Sequence, residues 1–201
     1  DTLNVLHNPK VQDGMTFDEV VNSADEVIEI NGYNYDSVVP EETLTIGTGE
    51  NVINIYYTKR NDLSYTVNYL EKDTLNVLHN PKVQDGMTFE DVVTSADEVI
   101  DIDGYNYDSV DKDTLTIGTG KNEINFYYTK RNDLSYTVNY IDKDTNKAII
   151  DAKTESNQTF GAEITSADEK IEIDGYNYDS VDKETLTIGT GENVINIYYT
   201  K

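Results

Sequence analysis

A single unit is written through this chain nearly three times, and a repeat of this length restricts the fold to a string of small, similar modules. Tyr65-Thr66-Val67-Asn68-Tyr69 returns as Tyr136-Thr137-Val138-Asn139-Tyr140, 71 residues further on. Ser-Ala-Asp-Glu begins at Ser23, Ser95 and Ser166, and Gly-Tyr-Asn-Tyr-Asp-Ser-Val begins at Gly32, Gly104 and Gly175. Thr-Leu-Thr-Ile-Gly-Thr-Gly begins at Thr43, Thr114 and Thr185. Cutting at the Lys-Arg junctions divides the chain into residues 1–59, 60–130 and 131–201. Asp1 is the counterpart of Asp73, so the first copy has nothing equivalent to the Tyr65–Tyr69 stretch. Asp1–Phe17 and Asp73–Phe89 are identical over 17 residues. Neighbouring domains this alike risk exchanging strands during folding.

Within a unit, Tyr65, Val67 and Tyr69 alternate with Thr66 and Asn68, the period of a half-buried strand. Ile124, Phe126 and Tyr128 alternate in the same way with Glu123, Asn125 and Tyr127 in a closing strand. Between them, Thr88 with Asp91 three places later reads as a capping box, and Phe89, Val92 and Val93 share a helical face. This predicts a short helix over residues 88–95, repeated around Thr16 in the first copy and weakened by Gly161 in the third. Gly118-Thr119-Gly120 predicts a tight turn with glycine at positive φ. Each unit is therefore four to five short strands with at most one short helix. Lys59–Ser64 and Lys130–Ser135 are too short and too poor in Gly, Ser and Pro to be free linkers, so the expected arrangement is a stiff rod.

The Tyr-Thr-Val-Asn-Tyr strand, the acidic turn Leu70-Glu71-Lys72-Asp73, the central Gly-Tyr and the closing Ile124-Asn125-Phe126-Tyr127-Tyr128 strand resemble the MucBP (mucin-binding protein) repeats. They are also similar to the B-repeats of Gram-positive surface proteins. That resemblance implies a mainly β (α+β) fold of tandem β-grasp-like, ubiquitin-like modules on an extracellular adhesin. The family's modules open with the Tyr-Thr-Val strand and close with the Tyr-Tyr strand. This phase makes 65–130 and 136–201 whole repeats, 1–59 a repeat without its opening strand, and 60–64 and 131–135 the linkers. The first copy is then either cut inside its domain or takes its opening strand from elsewhere, because an open slot in a sheet accepts a strand readily.

The chemistry of the chain is narrow. Fifteen Lys and Arg stand against 39 Asp and Glu, a net charge of −24. The three copies carry −9, −8 and −7, so the acidity belongs to the unit. Without clustered cations the chain is not suited to nucleic acid or anionic lipid. No apolar run approaches the ~18 residues of a membrane span. Cysteine is absent, which excludes disulfides and thiolate chemistry. The only histidines, His7 and His79, occupy one repeat position that is Ile150 in the third copy, so an enzyme is not expected. Carboxylate pairs such as Asp101 with Asp103, Asp111 with Asp113 and Asp142 with Asp144 read as solvated surface, with weak Ca²⁺ binding as the alternative. No other cofactor is expected. An isopeptide crosslink through Lys72 or Lys143 would need a buried lysine beside a buried acid.

Tyrosine is the remaining candidate. Tyr33, Tyr105 and Tyr176 each share a side of an extended segment with a second tyrosine, suited either to stacking on sugars or to forming the core. Tyr56, Tyr127 and Tyr198 lie on the polar side of the closing strand and make a recurring surface stripe. The expectation is a segment of a bacterial, wall-anchored adhesin, a monomeric stalk with weak multivalent binding of host mucin glycans. The alternatives are a dedicated glycan-binding module and a filament subunit joined by strand donation.

Overall fold

The computed structural model describes residues 4–201 and is mainly β. The opening three positions of the 1–59 repeat lie outside the described residues. The first repeat holds β1 (Val20–Asn22), β2 (Tyr33–Val39), β3 (Thr43–Thr45) and β4 (Asn54–Lys59). The second holds β5 (Leu63–Glu71), β6 (Val77–Met87), β7 (Val92–Thr94), β8 (Tyr105–Val110), β9 (Thr114–Thr116) and β10 (Glu123–Lys130). The third holds β11 (Leu134–Asp142), β12 (Lys147–Ala148), β13 (Lys153–Gln158), β14 (Glu163–Thr165), β15 (Asn177–Val181), β16 (Thr185–Thr187) and β17 (Val194–Thr200). By backbone proximity the chain forms two compact units. One comprises Asp1–Val67, Lys82–Ser95 and Lys112–Ile124, the other Asn68–Pro81, Ala96–Asp111 and Asn125–Lys201.

The third repeat shows the complete plan. Its sheet runs β12-β11-β17-β15, with β13 also paired to β11. The first and last strands, β11 and β17, lie side by side and parallel, Val138 opposite Ile195 and Tyr140 opposite Ile197. Strand alternation puts Tyr136, Val138 and Tyr140 on the face that also receives Ile195, Ile197 and Tyr199, all at most 6% exposed. The second repeat has the order β6-β5-β10-β8, and Tyr65, Val67, Tyr69, Ile124, Phe126 and Tyr128 are buried as the alternation predicts.

Two local expectations are corrected. Residues 88–95 are not a helix in any copy. Asp91 accepts from the Thr88 amide at 2.9 Å and its own amide returns to Thr88 O at 3.0 Å, so the box closes a turn. Glu90 then takes φ +68°, which a helix cannot continue through. The β-branched Val92, Val93 and Thr94 pair with Thr116, Leu115 and Thr114, and only Ser95–Glu98 coils, as one 3₁₀ turn. Thr16 and Glu19 close the same turn in the first copy. Gly118 and Gly120 do not have positive φ; the turn is held instead by Asn122, which accepts from Gly118 N and donates to Gly118 O, both at 2.9 Å.

The first repeat departs from the plan. Among the described residues its strands form the pairs β2-β4 and β1-β3. Residues 5–15, identical in sequence to β6, have no strand structure. Among its described residues Val38 is the one buried apolar side chain, and Ile53, Ile55 and Tyr57 are half-buried where their counterparts Ile195, Ile197 and Tyr199 are sealed. Among the described residues β4 pairs with β2 alone, whereas β17 lies between β11 and β15.

Candidate functional site

Outside the cores, one arrangement is built at both repeat boundaries. At the first, Arg60 N donates to Gly32 O at 3.0 Å and Phe89 N donates to Arg60 O at 2.8 Å. At the second, Arg131 N donates to Gly104 O at 2.9 Å and Phe160 N to Arg131 O at 2.8 Å. The linker is thereby bonded to the repeat behind it and to the repeat ahead. Each arginine also forks onto an aspartate two places on, Arg60 to Asp62 and Arg131 to Asp133, at 2.9–3.0 Å. Leu63 and Leu134, each 7% exposed, anchor the far end of the linker in a core.

The side chains at the boundary fit as knob and socket. The Phe89 ring packs over Gly32 so closely that a Cβ there would sit 2.4 Å from it, and the Phe160 ring packs over Gly104 with the same 2.4 Å clearance. Both glycines take positive φ, +83° and +79°, so glycine is required twice over. Tyr33 meets Phe89 edge-on at 5.7 Å, and Tyr105 meets Phe160 at 5.6 Å. Lys59 with Glu90 at 2.9 Å and Thr119 Oγ1 with Asn31 at 2.8 Å add to the first boundary. Phe17, the same position in the first copy, is 62% exposed, and nothing lies within 4 Å of a Cβ on Gly175. Sequence reasoning missed this pairing. The signal was there in the recurring Thr-Phe and Asn/Asp-Gly-Tyr, but nothing local says that they meet across a linker.

The tyrosines proposed as ligand contacts fall into two groups. Tyr33 and Tyr105 are half-buried against the boundary phenylalanines, and Tyr176 donates to Asp142 Oδ2 at 3.2 Å. On the closing strands Tyr56 is 38% exposed while Tyr127 and Tyr198 are half-buried. The core tyrosines are different ones, Tyr65, Tyr69 and Tyr128 and their third-repeat equivalents.

A buried polar cluster lies at the edge of the third core. Tyr136 donates to Glu169 Oε1 and Lys153 to Glu169 Oε2, both at 2.7 Å. Burial, then the Glu169 carboxylate, pushes the Tyr136 hydroxyl up to about 12. Burial opposes the charge on Glu169, but the hydrogen bonds from Lys153 and Tyr136 hold it below the usual carboxylate range. Lys153 is raised by its bonds to Glu169 and Glu155. In the first repeat Lys10 meets Glu26 at 2.7 Å. This cluster ties the strands β11 and β13 to the Ser166–Glu169 turn.

Elsewhere the surface is open. A shallow cleft of about 550 Å³ is lined by residues 101–106, Arg131 and Asp133, and a smaller one of about 290 Å³ lies along β11 near Asn193. Among the described residues no group of three or more His, Asp or Glu is placed to hold a metal ion, and no helix is long and apolar enough to cross a membrane. Lys72 and Lys143 are about half exposed and paired with Asp108 and Asp179, not enclosed as an isopeptide crosslink requires. His79 is exposed, with its ring edge-on to Tyr69 at 5.5 Å.

No protein-family model and no curated protein sequence matches the chain. Solved structures similar to it include repeats of surface and mucus-binding proteins. One is a pair of Streptococcal High Identity Repeats in Tandem domains (3-4) from a cell surface protein, 12% identical, covering 69% of this chain and 97% of its own, at a TM-score of 0.30. Others are the type 2 repeat of the mucus binding protein MUB from Lactobacillus reuteri and Mub-RV. Each of these two is 14% identical and covers 69% of this chain and 98% of its own, at a TM-score of 0.26. Overlaps of this size add no argument about ligand or mechanism.

Proposed function

We propose that this chain is a stretch of a bacterial cell-surface adhesin whose repeats act as a stalk, holding a distal part of the protein away from the surface and multiplying a weak affinity for mucin glycans. The observation that carries the stalk reading is the boundary built the same way twice. Burying one phenylalanine against glycine and tyrosine is worth about 2 kcal/mol. That favours the closed joint over a free linker by roughly thirtyfold. A high negative charge repeated in every unit keeps such segments soluble and apart. The domain reading of 1–59, 65–130 and 136–201 with linkers 60–64 and 131–135 belongs to this proposal, as does a β-grasp-like plan, which the parallel β11–β17 pair supports. Extracellular placement, wall anchoring and the absence of catalysis belong to it as well.

The glycan-binding component rests on Tyr56, Tyr127 and Tyr198, which recur on one side of each closing strand. Tyrosine faces stack on sugar rings, and identical weak sites on one chain gain by avidity. Mucin capture by the full chain, measured by surface plasmon resonance beside the triple Tyr→Ala variant, tests it. Binding above an albumin surface that drops at least severalfold in the variant supports the glycan reading. Equal, negligible signal from both leaves a spacer without a ligand.

A further inference from the structure

We propose that the second tyrosine of each Gly-Tyr-Asn-Tyr segment seats a cationic side chain. The chain's own lysine fills the seat in the third repeat, and a lysine-rich segment of a partner protein fills it in the first two. Tyr35, Tyr107 and Tyr178 hold this position and are 48%, 46% and 43% exposed. They are not the tyrosines proposed to stack on sugars, and the two readings are independent.

The seat is built the same way in every copy. Each exposed ring stands edge-on to an inward tyrosine of the closing strand, Tyr35 to Tyr57 at 6.3 Å, Tyr107 to Tyr128 at 5.9 Å and Tyr178 to Tyr199 at 6.2 Å. The inner tyrosine is itself fixed at its hydroxyl. Tyr57, Tyr128 and Tyr199 donate to the carbonyls of Ile28, Ile100 and Ile171 at 2.7–2.8 Å. The same hydroxyls accept from the amides of those isoleucines at 3.2–3.4 Å. An exposed ring is thus held on a support that is bonded to the backbone beside it.

The third repeat shows what such a ring takes. The residue before its isoleucine is Lys170, whose Nζ lies 3.9 Å from the centroid of the Tyr178 ring. An ammonium this close to an aromatic face is attracted by the negative charge of the π cloud. Val27 and Val99 stand at that position in the first and second repeats and bring no charge. Among the described residues no lysine or arginine lies over Tyr35 or Tyr107.

Charge selects the same occupant. The second copy carries −8, and Asp101 and Asp103, a few residues past Val99, are exposed. A field of this sign draws cations, repels anions and gives an uncharged sugar no advantage. One ring holds one ammonium weakly, so the partner is a segment with several lysines, and a seat repeated along the chain adds avidity.

The test titrates the full chain with a lysine-rich peptide at physiological ionic strength, with a neutral mucin oligosaccharide in parallel. NMR follows the ring protons of each tyrosine. The Tyr35 and Tyr107 rings are expected to shift with the peptide while Tyr178 stays in place, and Tyr107→Leu is expected to weaken binding about two- to fivefold. The paired exchange of Val99→Lys with Lys170→Val keeps every tyrosine and the net charge of −24. It should carry the response from Tyr107 to Tyr178. Equal shifts of all three rings overturn the proposal, as does a response that stays on Tyr107 in the exchanged chain. Shifts confined to carboxylate-bearing residues overturn it too, because they show attraction by net charge alone. A Tyr107 ring that answers the oligosaccharide and not the peptide is a sugar site and overturns it as well.

Discussion

Tyr136 shows what a single hydroxyl does in a module this small. Its bond to Glu169 satisfies a carboxylate that is 8% exposed at the side chain, so Tyr136→Phe leaves a buried acceptor short of a donor. The expected cost is about 1–3 kcal/mol, seen as a lower urea midpoint for the third repeat. The pH dependence comes from the same contact. The folded pKa of Tyr136 is raised from 10.0 to about 12, so its contribution is complete below pH 10 and is lost as pH rises towards the folded value. Glu169 is lowered from 4.5, so its contribution is present above that value and fades as pH falls through its folded one. Urea midpoints measured from pH 9 to 12 should fall in the parent and fall less steeply in Tyr136→Phe. The alternation of Tyr136, Val138 and Tyr140 already told which residues are buried. That a glutamate from the Ser-Ala-Asp-Glu turn closes over one of them could not be read locally, because residues 136 and 169 meet only through the fold.

The connections between elements divide in the same way. Asn122 ties the turn into β10 with two bonds to Gly118 and a third to Ser64 O at 3.0 Å. Asn122→Ala is expected to destabilise the second repeat by about 2 kcal/mol, since three partners lose a nearly buried amide. Chemical denaturation with the third repeat as internal reference checks this. Phe160→Ala acts differently, because Phe160 packs at a boundary. With spin labels on the second and third repeats, the variant should broaden the distance distribution while both unfolding transitions stay in place. A distribution as narrow as the parent's would mean that the linker bonds alone hold the joint. The helix expected at residues 88–95 fails at this scale. Thr88 and Asp91 do make the local bonds of a capping box, but a box closes a turn as readily as it starts a helix. The residues after the box decide between the two, and Val92–Thr94 find strand partners in Thr114–Thr116.

Across the whole molecule, the informative comparison is between two stretches of one sequence. Residues 77–87 form β6 and residues 5–15, the same eleven residues, form no strand. In one NMR sample the amides of 77–87 should therefore exchange slowly and those of 5–15 at nearly unprotected rates, and the first repeat should melt before the other two. Equal protection of the two stretches would show that the strand forms without its neighbour. The sequence by itself determined the repeat and its period, the alternation that selects the buried face of every opening and closing strand, and the acidity shared by all three copies. These are local or periodic properties, carried by each unit whatever surrounds it. Only the tertiary structure decided that Phe89 and Phe160 close onto Gly32 and Gly104, and that identical residues are a strand in one copy and coil in another. A strand exists where a neighbour satisfies its backbone and covers its apolar side. Residues 5–15 pair with no strand among the described residues, and the eleven residues that form β6 in the second repeat do not form one there.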